Sequence, residues 1–275
     1  MLKRTLSAIV ITLVMIGVTL CSGYPLVLNF FVAAISAMAI YEVLVVTKYV
    51  EGKWLKTFAL IIAVLIPFAG YTPRITENDF ILAFFVIAVI LFVTLILFHK
   101  AFSFEHICVI FCMAMIIPVL FSTLIAIRKL PNGIFAFVFV FTAAWGSDCG
   151  GYLFGKLFGT AKFSPTISPK KTVEGVIGCL LAAVAACLCL SAGIDICCDD
   201  ITVNYFLVVL YALIGAVFGI IGDLSASVIK RCFCVKDFGS LIPGHGGIMD
   251  RFDSILFAAP AIYILMNISP AFINI

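Results

Sequence analysis

The chain has 275 residues, of which 64% are hydrophobic and 11% charged, with a net charge of +3 and a mean hydropathy of +1.28. A soluble domain carries roughly a quarter charged residues, so there is too little polar surface here for a water-soluble body, and the charge is too small for a nucleic-acid-binding face. Soluble enzymes, disordered chains and nucleic-acid binders are excluded, and the composition points to an all-α, polytopic membrane protein.

A bilayer core takes about 20 apolar residues per helix. Nine apolar runs bounded by charge, Pro or Gly qualify as spans: 6–21, 25–46, 57–71, 80–98, 107–127, 134–158, 173–194, 205–229 and 252–272. The third is short and contains Pro67. Lys3 and Arg4 ahead of the first run also suit a secretory signal, and Val18-Thr19-Leu20-Cys21 faintly resembles a lipoprotein cleavage site. Leu20 is too bulky before such a cysteine, and eight further runs favour a retained first helix. No soluble domain, long linker or internal repeat interrupts the series. The expectation is one transmembrane domain over 1–275.

Alternating the nine runs across the bilayer puts 14 of the 17 basic residues on the side of the N-terminus. Only Arg74, Arg128 and Lys129 fall on the other side. By the positive-inside rule the N-terminus is cytoplasmic and the C-terminus outside. One missed helix would swap every later loop, so this division supports the span count. It predicts a multi-pass protein of the inner (cytoplasmic) membrane.

Eight of the 17 basic residues crowd loops 156–171 and 230–251. Asp148 lies within the sixth run, Glu174 opens the seventh, Asp223 is near the end of the eighth, and Asp250 and Asp253 open the ninth. Ionisable groups at membrane depth are costly and point to function. Each acid could instead form a buried pair with a loop Lys or Arg; five acids beside two basic loops on one face favour a site. Asp223 and Ser227 are i, i+4, and Ser227 and Lys230 are i, i+3, so they share a helical face. Asp250 and Asp253 are i, i+3 and point the same way, with Arg251 rotated off that face. Carboxylates without adjacent His or Cys form a hard-oxygen site that suits Mg²⁺ better than zinc. Lys and Arg beside them suit an anionic substrate, and the combination indicates phosphoryl or nucleotidyl transfer at the cytoplasmic face. Pro243-Gly244-His245-Gly246-Gly247 could offer backbone N–H groups to a phosphate just ahead of the ninth helix, or form only a tight turn. It is not a P-loop.

These residues carry a resemblance. Ser227-Val-Ile-Lys230-Arg231, Lys236-Asp237, His245-Gly246-Gly247 and Asp250-Arg251-Phe-Asp253 resemble the signature of the phosphatidate cytidylyltransferases, or CDP-diacylglycerol synthases. A second stretch is similar too: Asp148, Tyr152, Gly155 and Gly159, then Ser168-Pro169-Lys170-Lys171-Thr172-Val173-Glu174-Gly175. The likeness covers the C-terminal half in motifs and the first 130 residues in hydropathy alone. One departure is Leu224-Ser225-Ala226, where many relatives carry an acid, so Asp223 must work without that neighbour. The resemblance implies condensation of CTP with phosphatidate to CDP-diacylglycerol and pyrophosphate, with Mg²⁺ as a pair of ions.

On that basis 131–275 is the catalytic half, and 1–130 holds N-terminal helices of unassigned role. The candidate catalytic residues are Asp223, Asp250, Asp253, Lys230 and Arg231, the three acids as metal ligands. Lys170, Lys171, Ser227, Lys236, His245, Gly246, Gly247 and Arg251 are candidate substrate-binding residues. Asp148, Thr172, Glu174 and Asp237 support them. His245 either bonds a phosphate or caps the loop. The implied partners are CTP, phosphatidate and the lipid bilayer, with a homodimer also open.

The rivals are a CTP-dependent lipid kinase, which needs a base near a hydroxyl, and an ion-coupled transporter, whose acids belong nearer mid-membrane. The spaced Asp-Gly/Ala-Arg pattern of CDP-alcohol phosphotransferases is absent. Glu42 in the second run is a lone acid without an identifiable partner. The 11 cysteines show no CxxC pair: Cys179, Cys187 and Cys189 read as small apolar fillers and Cys232 and Cys234 as reduced loop thiols, while Cys197-Cys198 faces outside and its oxidation state is open.

Overall fold

Backbone polar groups in hydrocarbon must be satisfied within the segment that carries them, so long apolar runs form helices. The computed structural model describes residues 2–46, 52–69, 77–239, 241–242 and 246–274. Among the described residues the helices are α1 (Leu2–Cys21), α2 (Pro25–Tyr41), α3 (Lys53–Ala69), α4 (Glu77–Leu97), α5 (Phe104–Arg128), α6 (Gly133–Phe158), α7 (Val173–Cys197), α8 (Tyr205–Cys232) and α9 (Met249–Ile268). A π-helical turn, Glu42–Val46, continues α2. Among the described residues six segments are long and apolar enough to cross a membrane: Leu26–Leu44 and helices α5 to α9. Shorter apolar stretches occur at Ile9–Cys21 and Ile81–Leu97.

The described helices begin and end near the expected apolar runs, with informative differences. The ninth helix stops at Ile268, and Phe272 belongs to a strand instead. Strands β1 (Lys162–Ser164) and β2 (Ser168–Thr172) form an antiparallel hairpin between α6 and α7. Strands β3 (Ile201–Val203) and β4 (Phe272–Asn274) pair at the other end of the bundle. Short two-stranded pieces like these sit in the loops and leave the bundle helical. The two basic loops are also shorter than expected. Lys156 lies in the last turn of α6, Lys230 and Arg231 in that of α8, and Asp250 and Arg251 in the first turns of α9.

Helices α6 to α9 pack on one another, and α2 and α5 pack on α9 from the N-terminal side. Glycines let the backbones close up, as small residues do in membrane bundles. A Cβ on Gly150 would strike Ala182 and the Gly178 carbonyl across the α6–α7 contact, and one on Gly222 would strike the Asp253 carbonyl across α8–α9. Phe252 ties the halves together. Its ring meets Phe31 of α2, Phe121 of α5 and Trp145 of α6 edge-on at 6.4, 6.2 and 6.3 Å between centroids. One residue further on is Asp253.

Candidate active site

The end of α6, the start of α7, the end of α8 and the start of α9 meet at one end of the bundle, and each junction carries predicted polar residues. Helix α7 starts at Thr172, whose Oγ1 accepts from the Gly175 amide at 3.1 Å, an N-cap. Glu174, in the first turn, accepts through Oε1 from Thr160 Oγ1 and from the Ala161 amide, tying the end of the α6 loop to α7. This hydrogen bonding fixes the hairpin that presents Lys170 and Lys171. Lys170 is exposed, whereas the Lys171 ammonium lies 2.8 Å from Asp223 Oδ2 on α8. Arg231 donates through Nε to the Ile167 carbonyl at 3.5 Å, a second tie between α8 and the hairpin. A cavity of about 210 Å³ opens between them, lined by Asp148, Tyr152, Lys170, Lys171, Thr172 and Asp223 among others.

The start of α9 supplies the other half. Asp253 is 6% exposed, and its Oδ1 accepts from the Ser254 amide at 2.8 Å. The Ser254 hydroxyl lies 3.2 Å from both oxygens of Asp148 and 3.5 Å from Asp253 Oδ1, so it bridges the two acids. Asp148, Asp223 and Asp253 lie within Coulombic reach of one another, and Lys171, Lys230 and Arg251 temper them. Asp250 takes a separate course. Its Oδ1 receives the Lys230 ammonium at 2.9 Å, and its Oδ2 accepts from the amides of Phe238 and Gly247, both at 3.0 Å. Lys230 also lies over the Phe238 ring, 5.4 Å from its centroid. The two acids expected to act together from one helical face thus have different surroundings. Each of Asp223 and Asp250 has a lysine partner, Asp250 in a buried pair and Asp223 in one whose acid is about a third exposed.

The remaining predicted residues are more loosely placed. Ser227 is half-buried one turn beyond Asp223, while Arg231, Lys236, Asp237 and Arg251 are exposed. Ala226 is buried against the bundle. Gly246 adopts a φ of 82°, a left-handed conformation open to glycine, and its carbonyl accepts from Ile242 to close the loop. Residues 243–245, and with them the expectation for His245, lie outside the described residues.

The carboxylates suit Mg²⁺ in kind: hard oxygens, with Asp253 Oδ2 accepting no hydrogen bond among the described residues. Among the described residues no three His, Cys, Asp or Glu side chains stand together as a ready-made metal site. Mg²⁺ commonly takes only one or two carboxylates and completes its shell with waters and substrate phosphates, so Asp253 with Asp148 or Asp223 meets its need. Asp250, expected as a ligand, has both oxygens taken up by protein donors.

Two residues of this end were not assigned to it beforehand. Glu42 is fully buried, yet its Oε1 and Oε2 accept from the amides of Ile248 and Met249, each at 2.9 Å. Helix α9 has no side-chain cap of its own, because Ile248 stands at its N-cap. A helix start without Ser, Thr, Asp or Asn leaves orphan amides, and that was the available signal that a distant acid must serve them. Ser254 was likewise unassigned, and an interior helical serine gives little away.

A profile of the cytidylyltransferase family matches residues 2–269. The phosphatidate cytidylyltransferase of Staphylococcus epidermidis is 33% identical over 264 residues, covering 96% of this chain and 98% of that protein. Those of Staphylococcus haemolyticus and Staphylococcus aureus are 33% identical over 265 and 266 residues, with the same coverage. The likeness therefore runs through the N-terminal helices as well as the polar end of α6 to α9, and the chain belongs to the cytidylyltransferase family.

Proposed function

We infer that the chain transfers the cytidylyl group of CTP to phosphatidate, giving CDP-diacylglycerol and pyrophosphate in phospholipid biosynthesis. The observation that carries this reading is the grouping of Asp148, Asp223 and Asp253 with Lys171 and Lys230 at one end of a membrane bundle, in a chain matched end to end by phosphatidate cytidylyltransferases.

The chemistry follows from charge. A phosphate monoester has a second pKa near 6, so the phosphatidate oxygen is largely ionised at neutral pH and needs no strong base. It attacks the α-phosphorus of CTP; the new P–O bond forms as the bond to the β-phosphate oxygen breaks, and pyrophosphate leaves. The difficulty is bringing two anions together. Lys171, which lines the cavity, and Lys230 are held by Asp223 and Asp250, so their positions are set before substrate arrives. Lys170, Arg231, Lys236 and Arg251 are exposed around them and add neutralising charge. Asp253, with Asp148 and Asp223, would hold Mg²⁺, which when bound supplies Lewis-acid stabilisation of the phosphates. The lipid's acyl chains stay in the bilayer while its phosphate enters the polar end.

The division of basic residues supports a cytoplasmic N-terminus, nine crossings of the inner membrane and a site facing the cytoplasm. Residues 131–275 then form the catalytic half. Label tests the reaction: with Mg²⁺ and phosphatidate, CTP labelled at the α-phosphate is expected to pass its label to lipid, and label at the γ-phosphate to leave as pyrophosphate. Transfer of γ-label to lipid would make the protein a lipid kinase, and solute flux without CTP consumption a transporter.

Arg128 provides the matching control. Its Nε donates to Ser22 Oγ at 2.9 Å at the opposite end of the bundle from Asp253. Arg128→Ala is expected to leave turnover within about twofold of wild type, since it removes no transition-state contact. A large loss of kcat would move the site.

A further inference from the structure

The N-terminal helices contribute one buried carboxylate to the polar end, and its position is specific. We propose that Glu42 is a positioning residue for cytidylyl transfer: from the end of α2 it clamps Gly239, Gly247 and the first turn of α9, and so sets where Asp250 and Asp253 stand. This rests on the reaction proposed above.

The side chain is 0% exposed, so it cannot touch a substrate and acts only through what it holds. A carboxylate in apolar surroundings is costly unless it is well paired. Here each oxygen takes one amide of α9's start, at Ile248 and Met249, where the helix dipole also favours an anion. The carboxylate further shapes the loop. A Cβ on Gly247 would collide with both Glu42 oxygens, and one on Gly239 would lie 2.7 Å from Oε1. No side chain larger than hydrogen fits at either position while Glu42 is in place.

Asp250 grips the same loop from the other side through the amides of Phe238 and Gly247. Gly247 and the first amides of α9 are therefore fastened between two acids, one from each half of the chain. The π-helical turn starts at Glu42 itself, an irregularity of a kind that often accompanies functional positions. Phe31, also on α2, meets Phe252 of α9 at 6.4 Å, a second contact that keeps α2 against the start of α9.

The test uses the full chain in detergent or liposomes with CTP, Mg²⁺ and phosphatidate. Glu42→Gln keeps one acceptor oxygen but turns an amide N–H₂ toward the second backbone N–H. It is expected to lower kcat at least about tenfold, because small misplacement of reacting groups is expensive, with KM for phosphatidate within about twofold of wild type. Hydrogen exchange in a peptide spanning 246–252 should quicken in the same variant. Gly247→Ala should lose activity by a similar factor, and shortening the acid in Glu42→Asp/Gly247→Ala should restore part of it by making room for the methyl group.

Wild-type kcat in Glu42→Gln, or unchanged exchange at 246–252, overturns the proposal. If Glu42→Gln does not fold, the Gly247 pair decides, and no recovery in the double variant counts against it. Inactive wild-type protein would overturn the reaction itself, while the exchange measurement would still report on the clamp.

Discussion

Replacing Asp253 with Asn is expected to cut CDP-diacylglycerol formation at least about a hundredfold, with no loss of thermal stability. Asn is nearly isosteric and can keep the Ser254 amide on its oxygen, so the local backbone of α9 has no reason to move. What changes is charge. Asp253 is nearly buried, has no ion-pair partner among the described residues, and lies within Coulombic reach of Asp223 and Asp148. Asn requires no charge at this nearly buried position beside Asp223 and Asp148, so the unfolding transition should hold or rise. The same change removes the carboxylate whose second oxygen is left for a ligand. The variant thus separates stability from turnover, and label transfer from α-labelled CTP measured beside thermal unfolding reads both. Unchanged turnover would remove Asp253 from the metal and reacting phosphates and leave that work to Asp148 and Asp223.

The charge pattern revealed the polar end because charge is scarce in this chain. In a sequence with 11% charged residues, five acids beside two basic loops stand out against their surroundings. Helical spacing also located Asp223, Ser227 and Lys230 on one face of α8. What spacing could not supply was the partner of each group, since partners are set by packing between helices. Asp250 and Asp253 share a helical face, yet one turn of α9 carries them from the Lys230 loop to the Asp148 cluster. Glu42 was visible as an anomaly in an apolar run, but its partners are 206 and 207 residues away along the chain. The hairpin β1–β2 was hidden for a different reason: Ser168-Pro169-Lys170-Lys171 has no alternation of apolar residues, and its pairing comes from the Thr172 cap and the Glu174 tie at the start of α7.

Lys230 and Asp250 give the second large effect, and here stability and turnover should fall together and then part. Their side chains are 13% and 5% exposed, and their charged atoms are 2.9 Å apart. Removing one partner of a buried pair leaves an uncompensated charge, at a cost of about 3–5 kcal/mol. Asp250→Leu also strips the Phe238 and Gly247 amides of their acceptor, so it should be the less stable single variant. Lys230→Met should lose turnover about a hundredfold, because it removes a cation held ready for substrate phosphate. Replacing both residues with apolar side chains, as Lys230→Met with Asp250→Leu, removes the stranded charge, and stability should recover in part, the Phe238 and Gly247 amides still lacking their acceptor. Turnover should not return, since no ammonium remains. Unfolding and label transfer across the four proteins of this double-mutant cycle measure the coupling directly. If the double variant regains wild-type turnover, the pair is a structural strut and Lys230 has no part in binding phosphate. If the two stability changes simply add, the 2.9 Å contact contributes nothing of its own, and the start of α9 is held by the amides on Asp250 and Glu42.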